Sequence, residues 1–141
     1  MRDCFDKATR SRIMAAVRGK HTAPEMVVRR LAHGLGFRFR LHRAMLPGRP
    51  DLVFASRRKV IFVHGCFWHR RECPRGRSTP AANRRFWREK FTRNVARDQR
   101  NMGRLRRLGW GVMVVWECQT APAVRDRLAG RLKRFLASAE A

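Results

Sequence analysis

The run VIFVHG, residues 60–65, constrains the chain more than any other stretch. A strand with one wet face alternates apolar and polar residues. Val60, Ile61, Phe62 and Val63 are apolar on both faces, so this strand belongs at the centre of a sheet covered on each side. A second apolar run, WGVMVVWEC (residues 110–118), asks for the same treatment. FRFRLH (37–42) alternates as a half-buried strand does, LPGRP is a turn, and DLVF (51–54) reads as a short strand after it.

Helices account for the rest. Residues 6–18 read as a short basic helix with Ile13, Met14 and Val17 on one side. TAPE opens the next helix, with Thr22 as N-cap, Pro24 in the first turn and Glu25 at capping-box spacing. Val27, Val28, Leu31 and Leu35 form its stripe, and Gly34 and Gly36 end it. Residues 70–83 have no periodicity and read as a loop. A long helix follows over 84–108, striped by Trp87, Phe91, Val95, Met102 and Leu105, and an amphipathic helix closes the chain over 122–137. The order ααββ(β)αβα predicts an α/β sandwich around a small mixed sheet, as one domain over 1–141.

Charge points to the partner. The chain carries 34 Lys+Arg against 10 Asp+Glu, a formal net charge of +24. A domain this basic repels itself unless it meets a polyanion, and nucleic acid answers better than an anionic membrane surface. Codon bias explains arginine over lysine but not the shortage of acids. No stretch is long and apolar enough to span a membrane, and MRDCFDKATR lacks an apolar signal region, so a cytoplasmic location is expected. Cys4, Cys66, Cys73 and Cys118 then stay reduced, for metal binding or burial.

Several residues carry candidate chemistry. Asp51 stands at the start of a strand directly after the proline turn, and His64 at the end of the neighbouring strand. Together they could hold one Mg²⁺ for phosphodiester hydrolysis. Asp98 falls inside the apolar stripe of the long helix, where a carboxylate needs a partner. His69 and His64 are the candidates, with a nearby arginine the alternative. Glu25 either completes the capping box or steers water at the site. Phe67 and Trp68 form an adjacent aromatic pair that a basic protein can wedge between stacked bases, with Trp87 able to join them.

Taken together, DKATRSRIMAAV (6–17), TAPE (22–25), LPGRPDLVF (46–54), VIFVHGCFWH (60–69), FWREKFTRNVARDQR (86–100) and LGWGVMVVWEC (108–118) resemble the very-short-patch repair (Vsr) DNA mismatch endonucleases. The resemblance implies a restriction-endonuclease-like core of the PD-(D/E)xK type in which FVH, Phe62 to His64, replaces the usual Glu-x-Lys. It implies nicking of one strand 5′ to the T of a T·G mismatch left by deamination of 5-methylcytosine. Asp51 and the main-chain carbonyl of Val63 would bind Mg²⁺. His69 would be the general base, oriented by Asp98, with Glu25 and His64 in support. Phe67, Trp68 and Trp87 would form the wedge, and the basic N-terminal segment (1–20), through Lys7, Arg10 and Arg12, would grip double-stranded DNA. A monomer, with mismatch-repair helper proteins as possible partners, is the implied working form.

The resemblance further implies a structural zinc on Cys66, Cys73, Cys118 and a histidine two residues before Cys73. Arg71 stands at the histidine's place, so the fourth ligand is open. Two other readings compete: a restriction-type nuclease with another target, and a non-catalytic DNA-binding protein.

Overall fold

The computed structural model describes residues 22–138; the expected basic helix, with Lys7, Arg10 and Arg12, lies outside them, as does Cys4. Helix α1 (Ala23–Gly34) begins at Thr22, whose hydroxyl accepts the Glu25 N–H at 3.3 Å, a cap of about 1 kcal/mol. Strands β1 (Arg40–Leu41), β2 (Leu52–Phe54) and β3 (Lys59–His64) pair antiparallel in that order. Helix α4 (Arg84–Arg107) then crosses over to β4 (Gly111–Trp116), which lies parallel to β3. Helix α5 (Arg125–Ala137) closes the described chain.

Side-chain alternation along the central strand divides the core. Ile61, with Leu52, Phe54, Met113 and Val115, packs against Val28 and Ala32 of α1 and Leu128, Leu132 and Leu136 of α5. Val60 and Phe62, with Val53, pack against Leu105 and Met102 of α4. The mixed sheet is therefore covered on both faces, as the all-apolar run of β3 requires. Lys59 opens β3 on the α1–α5 side and is only 1% exposed. Its ammonium is satisfied by the carbonyl oxygens of Phe135 and Ser138, at the negative end of α5.

Three expected elements change. The strand expected over 37–42 shrinks to Arg40–Leu41 because its partner β2 is short and His42 turns left-handed, at φ 45°. A single helical turn, α2 (Cys66–His69), precedes the loop expected over 70–83, and a second, α3 (Pro74–Arg77), lies within it. The final helix starts at Arg125, after a 3-10 turn over Pro122–Val124.

Candidate active site

Three side-chain clusters carry potential metal-ligand atoms among the described residues. The first joins Glu25 of α1, His42 and Asp51. Asp51 directly precedes β2, and its Oδ2 accepts the Val63 N–H at 2.7 Å across the strand pair. Burial pushes its carboxyl up to about 7. The Val63 N–H opposes that rise, and the neighbouring Glu25 carboxylate adds to it. Glu25 is 1% exposed; Arg29 donates to its Oε2, and His42 Nε2 lies 3.0 Å from its Oε1. Thr22 therefore caps the helix without a returning Glu25 side chain, and the carboxylate is left for the site. Asp51 and His64 do not share one cluster, contrary to expectation. Asp51 meets Glu25 and His42, whereas His64 falls with His69 and Asp98.

The second cluster answers which histidine pairs with Asp98. Spacing along α4 places Asp98 between Phe91 and Leu105 on the buried side, and its Oδ2 pairs with His69 Nδ1. Its side chain is 16% exposed and that of His69 is 21%, so the pair is partly open to solvent. His64 stacks on His69 with centroids 3.8 Å apart and planes 6° from parallel. Burial, with His69 alongside, holds the His64 imidazole down near pKa 3, although Asp98 pulls the other way. His64 is thus neutral at physiological pH. Its Nδ1 is buried and has no hydrogen-bond partner among the described residues. Such an atom costs about 1–3 kcal/mol until something reaches it.

The aromatic pair is less exposed than its sequence suggested. The one-turn helix α2 swings Trp68 onto Trp87 and Phe91 of α4, where Trp68 and Trp87 are each 9% exposed. Phe67 sits half-buried at the rim, edge-on to Trp68 at 5.1 Å and to Phe91 at 5.1 Å. Edge-to-face packing of such large rings outweighs leaving them in water. Asn94 also clamps α2 by donating to the Trp68 carbonyl, and the Arg70 guanidinium lies 4.0 Å over the Phe91 ring. Phe86, overlooked in the sequence, is the exposed ring of this group at 47%.

In the third cluster the sulfurs of Cys66, Cys73 and Cys118 lie within 4.8 Å of one another. Burial pushes the Cys66 thiol up to about 12, while the Gly76 N–H, donated to Cys73 Sγ at 3.4 Å, pulls that thiol down. Three converging sulfurs suit a thiophilic ion. No fourth His, Cys, Asp or Glu joins them among the described residues, and the Arg71 guanidinium lies over the Trp116 ring at 5.3 Å. The turn is held by backbone contact, since a Cβ on Gly76 would stand 1.9 Å from the Arg71 carbonyl oxygen. Gly76→Ala is therefore expected to destabilise the fold by about 3 kcal/mol, the upper end for overpacking. It should also weaken binding of Zn²⁺ or Co²⁺ to the cysteines. Thermal unfolding and the thiolate-to-Co²⁺ absorption bands check the two effects.

Of the site residues expected from sequence, Asp51, Glu25, His64, His69 and Asp98 all reach this region, and Val63 contributes backbone beside Asp51. His42 and Arg29 were missed. No local pattern marks them, because His42 arrives through a left-handed turn and Arg29 is one of many arginines.

Comparison with known proteins agrees with this geometry. The family profile described as DNA mismatch endonuclease Vsr matches residues 2–75. The Type II nicking enzyme V.XorIIP of Xanthomonas oryzae pv. oryzae is 46% identical over 136 residues, covering 96% of this chain and 98% of that protein. The DNA mismatch endonuclease Vsr of Escherichia coli K12 is 49% identical over 118 residues, covering 84% of this chain and 75% of its own. The Type II nicking enzyme V.NmeAIP of Neisseria meningitidis is 39% identical over 141 residues, covering 99% of each.

The mixed sheet, its flanking helices and the acid–histidine clusters define a metal-dependent endonuclease with a restriction-endonuclease-like fold, acting on DNA. The chain belongs to the DNA mismatch endonuclease Vsr family. No helix among the described residues is long and apolar enough to cross a membrane.

Proposed function

We propose that this endonuclease nicks one strand 5′ to the T of a T·G mismatch, the lesion left when 5-methylcytosine deaminates, and that it uses Mg²⁺. The observation that carries the reading is the adjacency of His69 to Phe67 and Trp68 on one helical turn. A proton acceptor and a block of stackable rings then meet the duplex at the same point.

Asp51 and Glu25, facing one another beside the Val63 backbone, suit a hard divalent cation, with the Val63 carbonyl as a further oxygen. The cation, when bound, offsets the charge that develops on the scissile phosphate. Asp98 holds Nδ1 of His69, which fixes the tautomer and leaves Nε2 to take a proton from water. His64 stays neutral beneath the protonated ring and so does not repel it.

Phe67, Trp68 and Trp87 serve as the wedge at the mismatch, Phe67 entering first because it is the half-exposed ring of the three. The basic segment with Lys7, Arg10 and Arg12 grips the backbone, consistent with the net charge of +24. Zinc on Cys66, Cys73 and Cys118 braces the turn that carries α2, with a fourth ligand from outside the described protein side chains. The enzyme works as a monomer in the cytoplasm, and mismatch-repair proteins are candidate helpers.

End-labelled duplexes that differ only at one pair, T·G against C·G, test the specificity. Cutting of the T strand alone, in the mismatch alone, is the expected result. Cutting of a fully paired site would move the protein to the restriction-type reading. Salt-sensitive binding without cutting of either duplex would leave a DNA-binding protein.

A further inference from the structure

We propose that His42 is a positioning residue of the cation centre, holding the Glu25 carboxylate in place so that it faces Asp51 across a single cation. The inference rests on the cation centre proposed above and adds a residue to it. His42 Nε2 lies 3.0 Å from Glu25 Oε1 and 3.8 Å from Asp51 Oδ1, between two acids that would otherwise repel. Arg29 takes the opposite oxygen of Glu25, so both oxygens of a carboxylate only 1% exposed are engaged and its plane is set.

The backbone supports this placement. His42 has φ 45°, in the left-handed region that few non-glycine residues occupy. Its own N–H donates to the Asp51 carbonyl at 3.3 Å, which ties the strained turn to the residue whose side chain it faces. Strain of this kind persists where surrounding contacts over-determine it, and it concentrates at functional sites. A loop that needed only to join β1 to the proline turn would have no use for an imidazole directed between two buried acids.

The test compares His42→Asn with His42→Gln. Asparagine accepts the left-handed turn but is too short to reach Glu25. Glutamine carries the larger backbone penalty, yet its amide nitrogen falls where Nε2 was. A merely structural role therefore ranks Asn above Gln, and a positioning role ranks Gln above Asn. Mn²⁺ binding, read from the electron paramagnetic resonance of the free ion, and the Mg²⁺ concentration that half-saturates nicking are measured on each full-length protein.

His42→Asn is expected to weaken Mn²⁺ at least tenfold and to raise the half-saturating Mg²⁺ by a similar factor. His42→Gln is expected to stay within threefold of wild type. Mn²⁺ affinity unchanged in His42→Asn, or as weak in His42→Gln as in His42→Asn, overturns the role of His42. Asp51→Asn separates the two levels. If that variant binds Mn²⁺ as wild type does, the cation centre itself is misplaced and the positioning role falls with it. If Asp51→Asn loses Mn²⁺ and His42→Asn does not, only His42 is wrong.

Discussion

Asp51→Asn is expected to abolish nicking and, in the absence of divalent cation, to make the protein more stable. The two effects share one cause. Burial, with the Glu25 carboxylate alongside, raises the Asp51 carboxyl from 3.8 to about 7. The sign follows from proton binding. The unfolded chain releases this proton near pH 4, while the folded protein keeps it until about pH 7. Stability is thus lost as pH rises between those values, and the loss is complete above pH 7. At 1.36 kcal/mol per unit, the penalty at pH 8 is at most about 4 kcal/mol, and about 2–4 allows for relaxation of the site.

Asparagine has no such charge to bury, and its carbonyl oxygen can still accept the Val63 N–H. Chelator-treated Asp51→Asn should therefore unfold at a higher temperature than wild type at pH 8. The difference should shrink steadily as pH falls toward 4. Added Mg²⁺ should stabilise wild type and leave Asp51→Asn unchanged. A variant no more stable than wild type at pH 8 would mean that Asp51 is not strained by its surroundings, and the carboxylate pair would lose its claim to a cation.

The second large effect is expected at the His69–Asp98 pair. Removing a positioned general base lowers rate by about 10²–10⁴. His69→Ala should sit at the severe end, because its neighbour cannot replace it: His64, though stacked on it, has its imidazole pKa held down near 3 by burial. Asp98→Asn should cost less, since it leaves the base in place but releases its tautomer. The double variant should be no slower than His69→Ala alone, because an orienting residue is worth nothing without the base it orients. Single-turnover nicking of the T·G duplex measures all three. Additive losses would separate Asp98 from His69 and send it back to a structural role.

Much of this arrangement was legible without coordinates, and the reason is local. Thr22 and Glu25 sit at cap spacing, the stripe of α4 repeats at helical period, and β3 is apolar on both faces. Asp98 interrupts that stripe, so its need for a partner could be read from one helix. Which partner it takes could not. His64 and His69 lie five positions apart across a strand end, and the single turn of α2 decides that His69 meets Asp98 while His64 lies flat against it. The same turn explains why Phe67 and Trp68 were overestimated as an exposed pair: an aromatic's burial depends on what α4 presents to it, here Trp87 and Phe91.

The sequence by itself determined a basic, two-sided mixed sheet with an acid before β2, one histidine ending β3 and another just after it, and a carboxylate within α4. Periodicity and charge are summed over many residues, so they survive without knowledge of the neighbours. Only the tertiary structure decided that Asp51 and His64 belong to separate clusters, that Lys59 is buried against the end of α5, and that His42 stands between Glu25 and Asp51. Those are single contacts between residues distant in the chain. Each depends on how one turn aims one side chain across a packed interface, and no periodic pattern records that.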